Sequence, residues 1–135
     1  MSDIKTCEFV SPKHPDKTCD FIADSLLDEY LEGDENSRTA IEIMGGHGVI
    51  SISGEVTSKA EPDVKKIVRK IVGSDYDINV YMVLQSPEIA RGVDTGGAGD
   101  QGIMTGYATS ETETFMPKEY ETARDLCRKI YKEAS

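Results

Sequence analysis

The stretch Ser11–Glu32, SPKHPDKTCDFIADSLLDEYLE, sets His14, Asp16 and Lys17 within four residues of one another. They fall in a Pro-punctuated turn just ahead of an apolar pattern of helical period. An imidazole, a hard oxygen donor suited to Mg²⁺ and a phosphate-compatible cation at a helix start suit an anionic ligand, because the first N–H groups and the helix dipole favour negative charge there. The plainer reading is that Asp16 and Lys17 only decorate a first helical turn. Glu42 lies inside the apolar run TAIEIM, where a buried carboxylate is costly unless paired or metal-bound. If strand alternation turns it to solvent, it is an ordinary edge charge. Glu55 stands at a strand end in SGEVT, Gln85 opens a Gly-rich segment, and Asp100 lies in GAGDQG. Asp between glycines also serves plain turn chemistry. That run is no phosphate loop, since it lacks GxxxxGK followed by Ser or Thr and opens no basic helix. His47 in GGHG reads as a turn residue and Cys19 as packing.

These side chains need elements to hold them. Asp16–Glu32 reads as a helix, with Cys19, Ile22, Ala23, Leu26, Leu27 and Tyr30 recurring at i, i+3, i+4. Pro15 suits its first position and Gly33 its stop. Arg38–Met44 and Gly48–Thr57 are alternating and β-branched, so with GGHG between them they form an expected hairpin. EPDVKKIVRKIVG is a second amphipathic helix closed by Gly73, with Val64, Ile67, Val68 and Ile71 on one stripe. Asp77–Leu84 is a further strand, and Ile4–Val10 is expected to be a short first strand. IMTGYATSE looks extended, and a third helix starts at Pro117. The aperiodic, Gly-rich stretch from Gln85 to Gly102 is of a length that inside a compact domain is usually functional or mobile. Helices and strands alternate, which predicts an α+β two-layer sandwich: a mixed β-sheet with helices on one face.

A length of 135 residues suits one domain that buries roughly two thirds of its unfolded surface. With 38% hydrophobic and 30% charged residues the composition is globular and not disordered. A net charge of −10 argues against nucleic acid as a partner. No apolar run approaches a membrane span, and the start MSDIKTCEF lacks a signal-peptide pattern, so no membrane partner is expected. Three separated cysteines (Cys7, Cys19, Cys127) without a CxxC pair suit reduced thiols and a cytoplasmic location.

HPDKTCDFIADSLLD and GAGDQGIMTGYATSET together resemble the patterns of methionine adenosyltransferase, the S-adenosylmethionine synthetase family. EIMGGHGVISISGEVT and QSPEIARGVD are similar to family segments in matching order. The resemblance runs from about Val10 to Met116. Lys13 stands where the family usually has Gly, Phe21 where it usually has Gln, and the loop before GAGDQG is shorter than usual. The family's GGGAFSGKD-like phosphate loop has no counterpart in the sequence. The resemblance therefore implies one module of a three-module enzyme. It makes residues 1–92 the amino-terminal domain and 93–135 the start of the central domain.

The implied reaction converts ATP, L-methionine and water to S-adenosylmethionine, phosphate and diphosphate. A thioether sulfur needs no deprotonation. The burden is therefore to align sulfur with the 5′ carbon and to stabilise charge growing on the triphosphate. By resemblance His14 is catalytic, and His14, Lys17 and Asp100 bind ATP. Asp16 holds Mg²⁺, Glu42 holds K⁺, and Glu55 and Gln85 bind methionine. Gln85, Ser86, Pro87, Glu88, Ile89, Ala90, Arg91, Gly92, Val93 and Asp94 form a flexible loop that closes over the substrates. The full enzyme is expected to be a homodimer or homotetramer with sites between subunits, and this chain alone to be inactive. The alternatives are a non-catalytic nucleotide- or methionine-binding protein, or an assembly subunit of the same family.

Overall fold

The computed structural model describes residues 4–85 and 102–134. The chain falls into two compact units, Pro15–Gln101 and Met1–His14 with Gly102–Ser135. Beyond Gln85 the expected loop lies outside the described residues, as does Asp100.

In the first unit, helix α1 (Pro15–Gly33) precedes strands β1 (Arg38–Gly46) and β2 (Val49–Thr57), helix α2 (Val64–Val72) and strand β3 (Asp77–Leu84). The sheet order is β1-β2-β3. β1 and β2 are antiparallel, while β2 and β3 are parallel with α2 as their crossover. Ile22 and Leu26 of α1, Ile50 and Ile52 of β2, Val64, Ile67 and Val68 of α2 and Ile78 of β3 form one core. Each fully buried aliphatic side chain there contributes roughly 1.5–3 kcal/mol. Ile41, Ile43, Val80 and Met82 pack against the same cluster, so one sheet face carries both helices. The expected α+β two-layer arrangement is what the chain adopts.

Local chemistry sets the boundaries. The hairpin turn is His47–Gly48, with φ of 50° and 80°; positive φ at both central residues is what a type I′ turn requires and matches the twist of the paired strands. Asp63 caps α2 by accepting from the Lys66 N–H at 3.0 Å. Gly73, at φ 90°, ends α2 by donating its N–H to the Arg69 carbonyl at 2.9 Å. After α1, the Asp34 carboxylate accepts from the backbone N–H of Lys59 at 2.9 Å and of Asn36 at 3.1 Å. Ser37 Oγ donates to the Asp34 carbonyl at 2.6 Å and lies 2.7 Å from Ser58 Oγ. These bonds tie the end of α1 to the loop after β2. Of the α1 positions expected to face the core, Cys19, Ile22, Leu26 and Tyr30 are buried. Leu27 is exposed, because a helix lying on a flat sheet buries a narrower stripe than the i, i+3, i+4 pattern spans.

The second unit holds helix α3 (Lys118–Ala134). The Phe9 ring meets Tyr120 edge-on at 5.7 Å. Lys5 pairs with Glu119 at 3.4 Å and Glu111 at 3.9 Å. These are exposed ion pairs, a class that contributes little to stability. Thr109 N–H donates to the Phe115 carbonyl at 3.0 Å, and Thr112 Oγ1 donates to the Met116 carbonyl at 2.6 Å, closing a turn ahead of α3. One expectation needs correction. Residues 4–10 form no strand. Strands persist by ladder hydrogen bonds, and the described residues include no strand paired with this segment. Residues 4–9 are held instead by side-chain contacts to α3.

Candidate functional site

Two groups of candidate residues stand on opposite sides of the sheet layer. The first is at the start of α1. Ser11 accepts from the backbone N–H of His14 at 3.0 Å, which closes the turn that Pro15 converts into helix. Asp16 lies exposed in the first turn of α1, and Lys17 follows half-buried. A carboxylate in that turn is favoured by the helix dipole, as is any bound anion beside it. One turn further on, Cys19 is buried against the end of β1, where its sulfur accepts from the Gly45 N–H. Burial foremost, then the Asp16 and Asp20 carboxylates, push the Cys19 thiol up from its ordinary value despite that hydrogen bond. A protonated, covered thiol is a packing group, as the sequence suggested.

The second group lies on the sheet face opposite α1 and α2. Strand alternation and register set its rows: Arg38 opposite Thr57, then Ala40–Glu55–Val83, Glu42–Ser53–Tyr81 and Met44–Ser51–Asn79. Ser53, Glu55, Tyr81 and Val83 line a shallow depression of about 630 Å³. Glu55 and Gln85 are half-buried at one end of this face, while Glu42 is exposed one row away. The burial that the run TAIEIM suggested for Glu42 is therefore not seen. Its neighbours Ile41 and Ile43 point into the core and Glu42 points out, because successive strand residues alternate faces.

Arg38 is the residue that sequence reasoning missed. Its Nε–H donates to Gln85 Oε1 at 3.2 Å across the end of the sheet. The signal was present: Arg38 shares strand parity with Ala40 and Glu42, so once Glu42 is assigned to the open face, Arg38 must lie there too.

The geometry joins Glu55, Gln85 and Arg38, with Glu42 beside them, and does not join them to Asp16 and Lys17. α1 lies on the core face with its first turns near Gly45. The Glu55 row lies five residues back along β1, about 17 Å away, on the opposite face. Among the described residues no cluster of three or more His, Cys, Asp or Glu side chains forms a metal cage. Asp16 nonetheless fits a Mg²⁺ ion that keeps most of its shell in water and phosphate oxygens, which is how Mg²⁺ is usually held. Glu42, paired in register with Ser53, offers oxygen donors only and fits a hard monovalent cation.

Comparison with known proteins decides the family. The family model for the S-adenosylmethionine synthetase N-terminal domain matches residues 2–92, and that for the central domain matches residues 95–134. The chain belongs to the S-adenosylmethionine synthetase family. An S-adenosylmethionine synthase of Fusobacterium nucleatum is 45% identical over 136 residues, which cover 93% of this chain and 36% of that protein. One of Brachyspira hyodysenteriae is 41% identical over 162 residues, covering 98% and 41% respectively. A solved structure described as an unusual S-adenosylmethionine synthetase from Campylobacter jejuni superposes with a TM-score of 0.79 at 34% identity. It covers 92% of this chain and 36% of its own. The chain thus spans about 36–41% of the length of these relatives, which belong to a transferase family.

Proposed function

We propose that the chain supplies part of a cytoplasmic methionine adenosyltransferase, which makes S-adenosylmethionine, phosphate and diphosphate from ATP, L-methionine and water. The carrying observation is that the N-terminal and central family models match in order along one chain. In this reading residues 1–92 are the amino-terminal domain and 93–135 begin the central one.

The open sheet face takes methionine. The Glu55 carboxylate pairs with the ammonium group, and Gln85 hydrogen-bonds the carboxylate, so the thioether sulfur is held at a fixed angle. No residue has to remove a proton, because sulfur already carries its lone pair; positioning supplies the catalytic effect. The α1 start takes the triphosphate. His14 and Lys17 face its oxygens as charge builds on the leaving group, and Asp100 is assigned to ATP on resemblance alone. Asp16 would hold Mg²⁺ and Glu42 would hold K⁺; when bound, the cations supply positive charge against the triphosphate. Opposite faces and the separation of about 17 Å along β1 support a site shared between two copies. One copy would contribute Glu55 and Gln85, the other His14, Asp16 and Lys17, in a homodimer or homotetramer.

The test has two arms. The 135-residue chain with ATP, methionine, Mg²⁺ and K⁺ is expected to give no S-adenosylmethionine above a no-protein control, because His14 and Lys17 alone cannot offset the triphosphate's charge of about four. Residues 1–134 grafted in place of the matching segment of the Fusobacterium nucleatum relative are expected to give product. A folded graft that binds ATP but forms none would overturn the catalytic reading and favour a non-catalytic binding subunit.

A further inference from the structure

We propose that Arg38 is a positioning residue for methionine recognition: its Nε–H occupies Gln85 Oε1 and so turns the Gln85 amide nitrogen towards the ligand carboxylate. The inference rests on the assignment of Gln85 to methionine made above.

The argument is one of donors and acceptors. A Gln side chain ends in an oxygen that accepts and a nitrogen that donates, and rotation by half a turn exchanges them. A free amide would present either end to a ligand. Arginine has only donors, so the group 3.2 Å from Arg38 Nε must be the Gln85 oxygen. The nitrogen then faces away from Arg38. An amide fixed this way attracts a carboxylate and repels an ammonium group, which sets the direction of an amino acid lying between Gln85 and Glu55.

The sheet explains why arginine is needed. Arg38 lies on β1 opposite Thr57 of β2, and Gln85 follows Leu84, which lies opposite Val56. The contact therefore spans β2, a distance of about 9.5 Å between the outer strands. The donor Nε–H lies in the plane of the guanidinium and so keeps its direction, whereas a lysine ammonium rotates freely and fixes no orientation. Both residues are half-buried, so the bond is partly shielded from water and costs little further ordering when ligand arrives. It also places a guanidinium beside the site without giving it to the substrate, adding positive potential where a carboxylate would dock.

The test uses the 135-residue chain labelled with ¹⁵N. In the wild-type protein the two Gln85 side-chain N–H signals are expected to be well separated and rigid, and millimolar methionine is expected to shift them. Arg38→Met should make the amide mobile and weaken methionine about tenfold, the size expected for losing a charge-assisted hydrogen bond. Backbone signals of core residues such as Ile50 and Val68 should stay in place, which separates lost positioning from lost fold. Arg38→Lys, which keeps the charge without the planar fork, should fall between the two. If methionine leaves the wild-type Gln85 signals unmoved, the assignment of Gln85 fails and the inference with it. If methionine shifts them equally in wild type and Arg38→Met, Gln85 stands and the role given to Arg38 is overturned.

Discussion

Asp34 illustrates how a single exposed side chain can hold two segments together. Its two oxygens accept backbone N–H groups from Lys59 and Asn36. The Lys59 bond first, then the Asn36 bond, hold its carboxyl below the ordinary carboxylate value. A depressed folded-state pKa means that ionised Asp34 favours the folded chain. Its contribution is complete above the unfolded value of about 3.9 and fades as pH falls through the lower folded value. Asp34→Ala is therefore expected to lower the urea midpoint at pH 7, with the gap to wild type narrowing below about pH 4. A gap of constant size from pH 7 to pH 3 would show that the loss is one of packing and not of charge.

Among the elements, the β1–β2 hairpin carries Arg38, Glu42 and Glu55 of the open face, and Gly54 is its tightest point. A Cβ at Gly54 would lie 2.1 Å from the Ala40 carbonyl oxygen and 2.9 Å from the Ile41 Cα. Both obstacles are backbone, so neither can swing aside. Gly54→Ala is expected to cost about 1–3 kcal/mol and to push β1 away from β2, moving Glu42 and Arg38 out of register with Ser53 and Thr57. Chemical denaturation together with the NMR signals of Glu42 and Gln85 would check both effects; an unchanged midpoint would show that β1 yields without cost. The hairpin, α1, α2 and β3 were legible in the sequence because each carries its own period, and most carry a local stop or turn signal: Pro15 and Gly33 on α1, Gly73 on α2, and the GGHG turn of the hairpin. Residues 4–10 misled because β-like composition says nothing about whether a partner strand exists. For Glu42 the sequence left two readings open, burial among apolar neighbours or exposure by strand alternation, and the two-residue period of the strand puts it outside. The Arg38–Gln85 bond joins residues 47 apart, and no local pattern encodes such a pair until the sheet order is known.

At the scale of the whole molecule, the open sheet face is the feature that a single chain leaves unexplained. It exposes Met44, Val49, Tyr81 and Val83 among Glu42, Ser51, Ser53 and Glu55, while the opposite face is covered by α1 and α2. Large apolar side chains gathered on one flat surface mark a contact surface more often than a solvated one. A two-fold contact places the same patch against itself, and it brings the Glu55 and Gln85 end of one copy towards a second chain. That is what the separation between the two candidate groups calls for. Sedimentation of the 135-residue chain is accordingly expected to show at least a dimer. Val83 lies in register with Glu55 and is 63% exposed, so Val83→Glu should leave the core intact and set two carboxylates side by side on the contact surface. The variant is expected to sediment as a monomer, with association partly recovered at high salt, where like charges are screened. A wild-type chain that stays monomeric at high concentration would count against the open face as a contact between copies. It would also remove the support for the proposed site shared between two copies.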